Sequence, residues 1–184
     1  EREKPYIHAK GGVTFSGGEP LLQAKALVDV CALLRRHGYH VALDTAGPLL
    51  TQDVKELLEH VDLVLLDVKH IDEEQHKRVT GVSNKTTLAF AAYLEKKGIP
   101  FWIRYVLVPG FTDQEDAMHR LGEHFKDYDS LQRIEVLPFH TLGKEKYEKL
   151  QMAYPCEGVA PPSADQIKKA KDIYQEYVRE VYVR

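Results

Sequence analysis

Five times along this chain a short apolar or β-branched run gives way to an amphipathic segment with apolar residues three and four positions apart. No other feature constrains the fold as much. A strand followed by a helix-length crossover returns parallel to its predecessor, and the crossover is right-handed, so repeated β-then-α units build a parallel sheet covered by helices. The predicted strands are 12–16, 40–43, 63–66, 101–108 and 133–137. The run 63–66 is apolar without a break, which predicts burial on both faces. After Gly17-Gly18, Glu19 and Pro20 open a helix that Gly38 ends, with Leu27, Val30, Cys31 and Leu34 inward. A second helix turns Val54, Leu57, Leu58 and Val61 inward. Further helices are predicted at about 72–79, 84–97, 113–126 and 163–181, the last with Ile167, Ala170, Ile173, Tyr177 and Val181 inward. Two α/β architectures remain: a complete or partial TIM-like barrel, and an open doubly wound sheet. Pattern alone does not separate them.

Composition narrows the function classes. The 184 residues are 43% hydrophobic and 29% charged, ordinary for one globular domain spanning 1–184. A net charge of −3 lacks the basic excess of a nucleic-acid surface. No apolar run is long enough to span a bilayer, so no membrane partner is expected. Two cysteines, Cys31 and Cys156, build no disulfide framework, and a cytoplasmic location is expected.

The predicted strands end in groups that a core would not choose: Ser16-Gly17-Gly18-Glu19, Asp44-Thr45, Asp67-Val68-Lys69, the Arg104-Tyr105 stretch, and His140 beyond Pro138. In a parallel α/β fold those tips converge on one rim, where ligands bind. Each has a bland reading as well. A Gly-Gly turn and Asp44 serve as ordinary turn and cap residues, Lys69 as a solvated lysine, and His140 as a loop histidine. Arg104 is harder to dismiss, because a guanidinium inside an apolar strand needs a carboxylate or phosphate. Together the groups suit a small ligand that carries both ammonium and carboxylate.

The segment from Gly11 through Gly18-Glu19-Pro20 to Gln23 resembles the GGE segment of radical S-adenosylmethionine (SAM) enzymes, in the form found in glycyl-radical-enzyme activases. Leu43-Asp44-Thr45-Ala46-Gly47, Leu66-Asp67-Val68-Lys69 and Gly81-Val82-Ser83-Asn84 follow in that family's order, as do Trp102 to Gly110 and Leu137 to Lys144. The resemblance implies a (β/α)6 partial barrel in which a [4Fe-4S] cluster cleaves SAM reductively. The 5′-deoxyadenosyl radical then removes a hydrogen from a glycine of a partner, pyruvate formate-lyase or a related glycyl radical enzyme, with an electron donor such as flavodoxin. It further implies that Gly17, Gly18 and Glu19 meet the methionine amino group and that Lys69 neutralises the SAM carboxylate. Asp67, Val68 and His140 would complete the cofactor site, and Arg104 would position the partner's glycine loop or the methionine end. Asp44, Thr45 and Asp67 match positions that hold a monovalent cation.

One departure stands out. The family's cluster rests on CxxxCxxC in the first βα loop, and these 184 residues contain no such motif. With the GGE strand normally second and five strands predicted, the expectation is a single truncated domain. It would lack the first βα unit and, by itself, be unable to bind the cluster or catalyse. The exposed edge of the first strand, near Val13 and Phe15, is then expected to be covered by residues 1–10, a second copy or a neighbouring molecule. The alternatives are an activase of another glycyl radical enzyme and a cluster-free paralogue that binds SAM or the partner. A doubly wound nucleotide-binding domain is disfavoured, since the sequence has neither GxGxxG nor a P-loop.

Overall fold

A computed structural model describes residues 11–184. The strands are β1 (Gly12–Phe15), β2 (His40–Thr45), β3 (Leu63–Asp67), β4 (Phe101–Leu107), β5 (Leu131–Pro138) and β6 (Val181–Val183). The helices are α1 (Ala24–Arg36), α2 (Gln52–Leu58), α3 (Glu73–Thr80), α4 (Lys85–Lys97), α5 (Glu115–Phe125), α6 (Lys144–Lys149) and α7 (Ala164–Gln175). All strand pairs are parallel and the order is β1-β2-β3-β4-β5-β6. That order decides between the two architectures. Right-handed crossovers that always step the same way put every connecting helix on one face, whereas a doubly wound sheet reverses direction at a switch point. The result is an unclosed, partial TIM-like barrel.

The two faces of the sheet therefore differ. Val41, Leu43, Val64, Leu66, Ile103 and Val136 point towards the helices and are fully buried. They pack with Cys31, Leu57, Phe90, Leu94, Leu121 and Tyr174 in one core, each buried side chain contributing about 1.5–3 kcal/mol. Phe101 stands edge-on to Phe125, ring centroids 6.5 Å apart, and closes the core near the start of β4. Of the alternate residues, Asp44, Leu65, Asp67, Trp102, Arg104 and Arg133 are half-buried, while Ala42, Leu63 and Glu135 are buried; the connecting helices lie on the other face. Deep on that face the Arg133 guanidinium lies 3.4 Å from the centre of the Trp102 ring.

The structure corrects four readings. Among the described residues six strands are present rather than five. The final helix stops at Gln175, and Val181, expected on its inner face, belongs to β6, pairing with Ile134. Val181 continues the helical spacing from Tyr177, but Val181-Tyr182-Val183 alternates in the manner of a strand, and the free edge of β5 rewards that alternative. Val30 is 44% exposed, since α1 lies beside the edge strand and meets core on a narrower face than expected. β3 is not uniformly buried: Leu65 faces the open concave side. Among the described residues β1 pairs only with β2, and the expected cover from residues 1–10 lies outside the described residues. No helix among the described residues is long and apolar enough to cross a membrane.

Candidate functional site

The β1 tip turns through Gly17 and Gly18 at φ +87° and +53°, a region that favours glycine. A Cβ added at either would meet no atom of the described residues beyond its chain neighbours within 4 Å, which leaves space beside the turn for a ligand. Glu19, next in line, is held from three directions. Its Oε1 accepts from Leu21 N at 3.0 Å and from Thr45 Oγ1 at 2.6 Å, and its Oε2 accepts from Ala46 N at 3.1 Å. Pro20 begins the 3-10 turn that leads into α1, so the acid is both a helix cap and a tie between the β1 and β2 tips.

One layer inward, charged residues run across the concave face. Ser16 Oγ donates to Asp44 at 3.0 Å, and Arg104 Nη1 donates to both Asp44 oxygens at 2.7 Å. Glu135 lies 3.9 Å from Arg104 Nε. The strand register explains the row, since Arg104 is paired with Asp67 on one side and Glu135 on the other. Asp67 meets Lys69 Nζ at 3.0 Å, while its buried Oδ1 has no hydrogen-bond partner among the described residues. Val68 is fully buried, and its N–H donates to Arg104 O at 3.2 Å, pinning the β3 tip to β4. Arg104 and His140 line one cavity of about 290 Å³ with Leu137, Pro138 and Arg184. A larger cavity of about 580 Å³, between Tyr128, Leu131, Tyr177 and Glu180, lies at the opposite end of β5, away from the strand tips.

These contacts bring the sequence-predicted residues together in three groups: Glu19 with Thr45, Asp44 with Arg104, and Asp67 with Lys69; His140 shares the cavity of Arg104. The three expected cation ligands are engaged separately. Thr45 Oγ1 serves Glu19 and Gly47 N, Asp44 serves Arg104, and Asp67 serves Lys69. Sequence reasoning missed Glu135, although a carboxylate between Ile134 and Val136 carries the signal that singled out Arg104. It also missed Ser16 as an Asp44 partner and Arg184, which only strand order places beside His140.

The family model of the radical SAM superfamily matches residues 3–122. The pyruvate formate-lyase-activating enzyme of Streptococcus mutans serotype c is 43% identical over 191 residues, covering 98% of this chain and 73% of that protein. The pyruvate formate-lyase 1-activating enzyme of Escherichia coli K12 is 44% identical over 173 residues, covering 93% and 70%. The chain belongs to the pyruvate formate-lyase-activating enzyme family of the radical SAM superfamily. A solved domain of pyruvate-formate lyase-activating enzyme from Bacteroides vulgatus ATCC 8482 superimposes with a TM-score of 0.79 at 25% identity, covering 95% of this chain and 99% of that one.

SAM and a [4Fe-4S] cluster are the cofactors of radical SAM enzymes. The strand tips fit SAM: the glycine turn is open, and buried Asp67 Oδ1 has a free lone pair beside Lys69. The cluster does not fit the residues present. It needs thiolates converging on iron, but Cys31 is fully buried in α1 with its thiol pushed up to about 11 by burial, and Cys156 lies in the loop before α7.

Proposed function

We propose that these 184 residues form the SAM-binding and partner-presenting part of a pyruvate formate-lyase activase, with the cluster thiolates supplied from outside them. The observation that carries this reading is the spread of acid and base over the strand tips of one parallel sheet. Glu19 stands in the turn after β1, Asp67 at the end of β3 with Lys69 two residues beyond, and Arg104 and His140 around the cavity at β4 and β5. An α-amino acid carries ammonium and carboxylate on one carbon and needs opposite charges side by side. Glu19 and the Gly17-Gly18 turn receive the ammonium group. Lys69 meets the carboxylate while Asp67 holds the lysine in place; a monovalent cation would be held at the unpartnered Asp67 Oδ1, since Asp44 and Thr45 are engaged with Arg104 and Glu19. Bound SAM supplies the 5′-deoxyadenosyl group that acts on the partner's glycine. Arg104, braced by Asp44 and Glu135, orients either that glycine loop or the methionine end, and His140 borders the same cavity. Without its own cluster ligands the chain alone is expected to bind but not to catalyse; a flavodoxin-type donor belongs to the cluster-loaded enzyme.

Calorimetric titration with S-adenosylhomocysteine tests this. The chain is expected to bind it, and Glu19→Gln and Lys69→Met are each expected to weaken binding by about tenfold. Unchanged affinity in both variants would refute the placement. The cysteine positions also favour a second reading, a cluster-free paralogue that binds SAM or the partner. Iron and sulfide reconstitution of the protein with its complete coding sequence separates the two, since the paralogue would form no cubane.

A further inference from the structure

The two ends of the proposed zwitterion site are fastened to the same turn of helix. Asn84, at the N-cap of α4, does not cap its own helix, the usual use of asparagine there. Its side-chain amide instead donates to Ile71 O at 2.5 Å and His70 O at 3.2 Å, the carbonyls that directly follow Lys69. Three residues on, Thr87 Oγ1 donates to Ala46 O at 2.8 Å. The same Ala46 residue donates its N–H to Glu19. Both side chains are buried, Asn84 to 2% and Thr87 to 5% exposure, which is costly for polar groups unless their hydrogen bonds are specific. The β2 loop is further seated by Gly47, where a Cβ would stand 3.1 Å from the Phe90 ring of α4. The Lys69 loop is seated by His70, 1% exposed, whose Nδ1 accepts from Asp72 N at 3.0 Å.

Residues three apart on a helix are rigid neighbours on one face. We propose that the first turn of α4 is a spacer that sets the distance between the Glu19 ammonium contact and the Lys69 carboxylate contact. Asn84 and Thr87 are then positioning residues for the α-amino-acid end of the ligand. The two links are of one kind: a buried side chain at the start of α4 grips a main-chain carbonyl, and the gripped backbone either follows the binding residue in sequence, as His70 and Ile71 follow Lys69, or bonds it, as Ala46 bonds Glu19. Neither residue meets the ligand. The inference rests on the reading of Glu19 and Lys69 given above.

A ligand pair isolates the effect. S-adenosylhomocysteine has the amino-acid end, and 5′-methylthioadenosine keeps the nucleoside and lacks it. Titration of the chain with each yields a preference ratio. In the unsubstituted chain the ratio favours S-adenosylhomocysteine; equal affinity there, or no binding of either, would sink the zwitterion reading itself and this inference with it. Thr87→Val, nearly isosteric, and Asn84→Ala are each expected to lower the ratio roughly tenfold, chiefly by weakening S-adenosylhomocysteine. Thr87→Ser keeps the hydroxyl and is expected to retain the ratio. If the variants weaken both ligands equally, or leave the ratio unchanged, the residues are structural only and the spacer is refuted. Should Asn84→Ala fail to fold, the Thr87→Val and Thr87→Ser pair decides alone.

Discussion

Replacing Arg104 with methionine removes one cation from between two carboxylates. The Arg104 and Asp44 side chains are 17% and 20% exposed, with Nη1 2.7 Å from the Asp44 oxygens, and Glu135 is 10% exposed at 3.9 Å. At an effective dielectric of about 20 the closer pair attracts by about 6 kcal/mol before desolvation is subtracted. Removing one member of a fully buried pair costs about 3–5 kcal/mol, and the partial exposure here places the loss near 3 kcal/mol. For a chain of this length that lowers the thermal midpoint by about 6–12 °C. The cost is assigned to stranded negative charge, not to lost packing, since methionine keeps much of the aliphatic volume. Adding Asp44→Asn and Glu135→Gln to the Arg104→Met background should therefore recover at least half of the loss, read by differential scanning calorimetry. A triple variant no more stable than Arg104→Met, or an Arg104→Met protein within about 1 kcal/mol of the parent, would refute the argument.

Other outcomes follow from the same geometry. A Cβ at Gly122 would run into the Tyr177 ring, whose hydroxyl bonds His119 Nδ1 at 2.9 Å, so Gly122→Ala is expected to cost about 1–3 kcal/mol in urea titration. Burial lowers His70 and His124 below the usual 6.5, so they stay neutral in the fold where the unfolded chain is already protonated. The unfolded state then binds more protons, and stability should be steady above about pH 6.5 and decline as pH falls through that value towards the folded-state values. The double variant His70→Gln, His124→Gln should flatten that decline in urea midpoints. Burial keeps the Cys31 thiol protonated, so iodoacetamide at about pH 8 should label the partly exposed Cys156 in the native protein and reach Cys31 only after unfolding, as mass spectrometry would show.

Local chemistry is what the sequence by itself determined. Alternation of strand and helix periods implied parallel βα units, because period and crossover length are properties of neighbouring residues. Glu19, Asp67, Lys69 and His140 could be marked as rim groups because each follows a strand whose direction the parallel arrangement sets. Tertiary structure decided what local signals cannot carry. Val181 satisfies a helix spacing as well as a strand, and only the free edge of β5 resolves it. The strand order, unseen in any one segment, brings Asp44, Arg104 and Glu135 side by side on the face of the sheet that the connecting helices leave uncovered. In the sequence Asn84 stands out only as the end of the Gly81-to-Asn84 segment and Thr87 as an ordinary first-turn residue, and neither shows what its side chain holds. Their bonds to carbonyls 13 and 41 positions away exist only once α4 has packed beneath two loops, because a hydrogen bond depends on distance in space and not on separation along the chain.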